Sequence, residues 1–188
     1  MQAAVRWTGW DRQGLDHCLL RRDAEGLCLE GLVVCGGDSR APALRYRVQT
    51  DARFRTREVT LACVGGPELR LIGDGAGDWH DGRTGAPLPT LDGCLDVDIA
   101  ATPATNSLPI LRLGLGAGES AEILAAYLPL PERADAPIRP SAARQRYTCL
   151  RPGRFRYEAL TSGFTAEFAA DGDALVEDYP EAFRRLPA

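Results

Sequence analysis

The chain has 188 residues, 45% of them apolar and 26% charged, with a formal net charge of −4. That length suits one domain, residues 1–188, able to bury a substantial core. The acidic balance argues against a nucleic-acid partner.

Short alternating runs dominate, separated by Gly, Pro and Asp. Residues 5–10 read as a first strand, 15–22 as a second and 27–35 as a third. Gly36, Gly37, Asp38 and Ser39 form a loop. Leu44, Tyr46 and Val48 alternate with Arg45, Arg47 and Gln49, which predicts a half-buried strand. Residues 54–64 give a longer strand, with Arg53, Arg55 and Arg57 on the face that later carries Val59, Leu61 and Cys63.

A short strand at 69–72 leads into the glycine-rich segment 73–82. Its glycines suggest a phosphate cradle, but no lysine or helix start completes one. A hairpin connection with Trp79 folded back onto the sheet fits better. Residues 84–91, interrupted by Pro87 and Pro89, read as a strand edge.

The central stretch, 93–113, breaks the pattern. Asp96 and Asp98 alternate with apolar residues, so a strand puts both on one face. Pro103 and Pro109 then bracket Thr105, Asn106 and Ser107, whose short polar side chains bond readily to nearby backbone. An apolar run with one cation, Arg112, follows. Polar groups set between apolar runs form either a satisfied network or a site. As a network, Arg112 pairs with Asp96 or Asp98, most favourably Asp98, and Asn106 caps a turn.

Residues 120–130 have helical composition, but their flanking turns and Pro129 favour a strand. Three prolines make 131–140 a surface loop, and strands follow at 144–150 and 154–160. Phe164, Ala166 and Phe168 carry the next apolar face. The last strand spans 175–179, and Pro180 starts a short helix through Arg185. About a dozen strands with little helix predict a sandwich, a barrel or a curved open sheet.

The cysteines, at 18, 28, 35, 63, 94 and 149, include no C-x-x-C pair and several lie in apolar runs. They read as reduced, buried thiols rather than a disulfide frame or a zinc site. His17 and His80 lack ligand spacing, so neither a metal nor another cofactor is expected. No secretory leader or membrane-length apolar run is evident, which points to a cytoplasmic protein.

Four motifs in order resemble a bacterial protein family, Putative glycolipid-binding. They are Gly77-Asp78-Trp79; Asp96-Val97-Asp98 leading to the 105–113 run; Gln145-Arg146-Tyr147; and 176–180. The resemblance spans nearly the whole chain. Leu111 and Phe54 depart from it, standing where an arginine and a tryptophan are usual. The resemblance implies an all-β, mainly antiparallel fold: a curved, unclosed β-barrel with one or two short helices, like that of periplasmic lipoprotein carriers.

The reading that follows is a non-catalytic binder of a glycolipid or fatty-acyl compound, held on the concave face. Its candidate ligand-binding residues are Trp79, Asp98, Asn106, Arg112, Gln145, Tyr147 and Tyr157. The alternatives are a protein-interaction module with a filled barrel and, less supported, a hydrolase using Asp96 and Asp98. Paired catalytic carboxylates normally come from facing elements, whereas these two share one strand.

Overall fold

The structure, a computed structural model, describes residues 1–37 and 41–187. Asp38 and Ser39 of the predicted 36–39 loop lie outside the described residues. The fold is mainly antiparallel β, with fourteen short strands among the described residues.

The larger sheet begins with four hairpin-linked strands: β1 (Gln2–Gly9), β2 (Leu15–Arg22), β3 (Leu27–Val34) and β4 (Ala43–Thr50). It continues through β5 (Thr56–Cys63), β6 (Glu68–Gly73) and β7 (Trp79–Asp81). The second sheet comprises β8 (Asp96–Ile99), β9 (Ser120–Leu128), β10 (Ser141–Arg151), β11 (Arg154–Ala159) and β12 (Thr165–Ala169). β13 (Asp178–Tyr179) and β14 (Phe183–Arg185) return to the first sheet, where β14 pairs with β1. Together the sheets make a curved, unclosed wrap; neither closes into a ring among the described residues.

Alternation sets the inside of the wrap. Val5, Trp7, Cys18, Leu20, Leu29, Tyr46, Val48, Val59 and Leu61 face one core, which reaches Val97, Ile99 and Leu128 on the second sheet. Tyr147, Phe155, Tyr157, Phe168 and Tyr179 form a second, aromatic cluster. The outward positions of β10 and β11 carry Arg144, Arg146, Arg156 and Glu158, several of them in exposed cross-strand ion pairs. Such surface pairs contribute little individually. Gly31 is required by packing: the Tyr46 ring lies over it, and a Cβ would collide with the phenol.

Three local expectations differ from the structure. Residues 84–91 do not form a strand: only Pro87 bridges to His80, and Pro89–Leu91 is a single 3₁₀ turn. The two prolines remove the donors a ladder needs. The predicted 180–185 helix is absent, because β14 fills the edge beside β1 and gains sheet hydrogen bonds there. Helix instead forms inside the central stretch, as a 3₁₀ turn at Pro103–Asn106 followed by α1 (Ser107–Leu113). Gly114, at φ 56°, ends α1 in the left-handed conformation. This excursion carries the chain across the sheet, so β8 and β9 pair in parallel.

The glycine-rich 73–82 segment does make the connection expected of it. Asp74 Oδ1 accepts the backbone N–H groups of Ala76, Gly77 and Asp78 at 2.6, 2.9 and 3.0 Å. The donors a phosphate would need are therefore already engaged. No helix among the described residues is long and apolar enough to cross a membrane.

Candidate functional site

The central stretch supplies both a structural knot and a wall of a cleft. Its turn is internally satisfied. Thr102 Oγ1 caps the 3₁₀ turn by accepting the Ala104 N–H at 3.1 Å. Thr105 Oγ1 accepts the Ile99 N–H at 3.3 Å, and Ser107 Oγ donates to the Ala104 carbonyl at 2.7 Å. The cap is thus Thr102 rather than Asn106. Asn106 bridges the turn instead, donating from Nδ2 to the Pro103 carbonyl at 3.1 Å.

Arg112, in the last turn of α1, reaches back to Asp96 rather than to Asp98, correcting the expected pairing. Its Nε lies 3.0 and 3.1 Å from the two Asp96 oxygens, and one terminal nitrogen lies 2.6 Å from Oδ2. The Asp96 side chain is 1% exposed and that of Arg112 15%. Burial outweighs the guanidinium and holds the Asp96 carboxyl above its ordinary range. This pair pins α1 to β8.

Asp98, two residues along the same strand, has different surroundings. Gln145 Nε2, from β10, donates to its Oδ2 at 2.6 Å. Burial pushes the Asp98 carboxyl up to about 6, with the Gln145 bond acting against the shift. Among the described residues no cationic group lies within ion-pair distance of it. Its field adds to burial in raising the phenols of Tyr127, Tyr147, Tyr157 and Tyr179.

Asp98 lines a cleft of about 510 Å³. The floor comes from β8 and the turn after it, through Ile99, Ala100, Thr102 and Asn106. The paired strands β10 and β11 form one wall, with Ala142, Ala143 and Gln145 on the first and Tyr157 and Ala159 on the second, extended by Phe164 from the turn after β11. Tyr179, Ala182 and Phe183 complete it from the C-terminal strands. Small side chains at Ala142, Ala143, Ala159 and Ala182 leave the space open. Phe164 is 39% exposed at this site, whereas Phe168 on the same strand region is 1% exposed in the core.

Four sequence-predicted residues therefore meet at one cleft: Asp98, Asn106, Gln145 and Tyr157. Tyr147 stands just behind them. Its hydroxyl donates to Asn106 Oδ1 at 2.8 Å, and its ring meets Tyr157 edge-on at 5.4 Å. Two others are elsewhere. Arg112 is held by Asp96, and Trp79 is 2% exposed with its indole N–H on the Cys94 carbonyl at 2.9 Å.

Sequence reading missed Tyr127 and Tyr179 as lining residues. Tyr179 was visible inside the 176–180 motif, but nothing in spacing alone brings it opposite Asp98. It also missed a buried cluster in the first core. Asp16 on β2 accepts from Thr102 Oγ1 and from the Tyr46 hydroxyl, the latter at 3.3 Å. Burial pushes the Asp16 carboxyl up to about 7, against those hydrogen bonds. Asp16 satisfied an alternating strand pattern only as an exception, a buried carboxyl group on the apolar face.

Comparison with known proteins gives a consistent picture. The family model described as Putative glycolipid-binding matches residues 4–185. The crystal structure of a DUF1089 family protein from Pseudomonas aeruginosa is 38% identical, covering 93% of this chain and 92% of that one, with a TM-score of 0.79. Among curated proteins, none matches.

Proposed function

The chain belongs to the Putative glycolipid-binding family, and from that premise we propose that it holds an amphipathic, glycolipid-like ligand in the Asp98 cleft without transforming it. The observation that carries this reading is the cleft itself. At about 510 Å³ it falls within the roughly 300–1,000 Å³ typical of small-molecule sites. Its walls are alanines and aromatic rings, which suit an acyl chain; each buried methylene is worth about 0.8 kcal/mol.

Asp98, Gln145 and Asn106 stand at one end and offer hydrogen bonds to a polar head group. Trp79, Arg112 and Tyr147 act behind this surface: Arg112 fixes α1, Tyr147 orients Asn106 and Trp79 anchors the 73–94 connection. The Asp96–Asp98 pair is a poor acid/base couple, because Asp96 is consumed by a bidentate arginine.

Organic extraction of the purified protein followed by mass spectrometry tests the reading. A stoichiometric amphiphile from wild type, absent from a cleft-filled Ala159→Trp variant, is the expected result. A lipid recovered equally from both proteins would place it outside the cleft and refute the proposal.

A further inference from the structure

The polar end of the cleft holds two acceptors that no described protein group satisfies. The only protein hydrogen bond to the Asp98 side chain among the described residues is the one from Gln145 to Oδ2. Gln145 is 2% exposed and lines the cleft, yet no described protein group donates to its Oε1. A carboxylate oxygen and an amide oxygen thus face the cleft with no protein donor, open to a ligand or to water. Arg144 also borders the cleft, but its guanidinium is drawn to Glu122 at 2.8 Å, as is that of Arg146 at 2.5 Å, and neither makes an ion pair or hydrogen bond with Asp98.

A second feature of the same cleft carries the same sign. Tyr157, Phe164 and Tyr179 form an aromatic wall with pairwise centroid distances of 6.2–6.3 Å. Aromatic faces carry negative potential and attract cations, most strongly where water is excluded. An anionic head group would meet a like charge at Asp98. A neutral sugar would satisfy the acceptors but would leave the carboxylate's charge without a counterion.

We propose that the cleft selects an organic cation: an amphiphile whose ammonium group sits against Asp98 and the Tyr157–Phe164–Tyr179 wall, with its apolar tail along the alanines. This inference rests on the cleft reading above and specifies the head group. A trimethylammonium group fits through charge and aromatic contact, and a protonated primary amine adds hydrogen bonds to Asp98 and Gln145 Oε1. The net charge of −4 also favours the approach of a cation.

Isothermal titration with decyltrimethylammonium, decyl glucoside and decanoate, all below micelle formation, holds the tail constant and varies only the head. Wild type should bind the ammonium about tenfold tighter than the glucoside, with decanoate weakest. Asp98→Asn, checked for a native melting transition, should bring the ammonium to within about threefold of the glucoside. Ala159→Trp should lose both. Glucoside binding as tight as ammonium binding in wild type would overturn the cation inference while leaving an amphiphile cleft. That wild-type ranking decides even if Asp98→Asn fails to fold. Persistence of the preference in a folded Asp98→Asn protein, or in Ala159→Trp, would also overturn it. Binding of none of the three would refute both the inference and the cleft reading.

Discussion

Replacing Arg112 with leucine should destabilise the protein by roughly 3 kcal/mol or more at neutral pH. The magnitude follows from the geometry. The Asp96 side chain is 1% exposed, and all its side-chain hydrogen bonds among the described residues come from Arg112. Removing the guanidinium leaves a carboxylate that must stay charged in an apolar setting or take up a proton. For a chain of this size, about 3 kcal/mol corresponds to a melting-temperature drop of about 6–12 °C.

The loss should depend on pH. Asp96 already sits above its ordinary carboxylate range because of burial, and losing Arg112 raises it further. Below the unfolded value of about 3.9 the group is protonated in both states, so the variant's extra penalty is smallest. Once pH passes the wild-type folded value, the wild-type carboxyl ionises beside Arg112 while the variant's stays protonated, so the penalty grows with further rise in pH. Urea titrations at pH 4 and pH 7 measure this directly. An Asp96→Leu, Arg112→Leu double variant should recover much of the loss, since it removes the stranded charge. An unchanged midpoint for Arg112→Leu, or an equal loss at both pH values, would refute the reasoning.

Asp16 should make stability fall as pH rises. Its folded value of about 7 exceeds the unfolded value of about 3.9, so the folded state binds the extra proton between them. The full contribution is present below about pH 4 and declines by on the order of 4 kcal/mol by pH 7 and above. Asp16→Asn should flatten the profile in that window, and an unaltered pH dependence in denaturant titrations would contradict this. Thiol labelling should separate the cysteines. Cys18 and Cys94, pushed up to about 12 and 11 by burial, should resist alkylation in the native protein, while all six react in denaturant. Rapid native labelling of either would count against their placement, and recovery of four thiols or fewer in denaturant, without oxidation, would reveal disulfides.

Much of the fold was legible because alternation with a period of two is a strong signal. The 15–22 strand has the expected bounds, and 120–128 forms a strand despite its helix-favouring alanines, because β10 and β8 flank it. The edges were harder. At 183–185 the chain gains its hydrogen bonds from β1, far away in sequence, so no local pattern marks a strand there. At 107–113 the proline at the third helical position and the short length hide a helix, whose register is set by the buried Arg112–Asp96 pair.

The candidate site was half legible for a related reason. Asp98 and Asn106 were recognisable as polar residues placed among apolar ones, and Gln145 through the motif Gln145-Arg146-Tyr147. Which carboxylate Arg112 would choose was not, since Asp96 and Asp98 differ by only one strand repeat. The choice depends on how α1 lies across β8. Likewise, Tyr179 joins the cleft only because β13 and β14 fold back beside the second sheet.

The most direct test of the amphiphile cleft is a fluorescence titration of a labelled acyl glycoside against wild type and Ala159→Trp. Ala159 lines the cleft, and an indole there fills the space a tail would use. Saturable wild-type binding in the micromolar range, about −8 kcal/mol, is expected, with no measurable binding to a variant that keeps its native melting transition. Absence of saturable binding to wild type, or equal affinity in the two proteins, would contradict it.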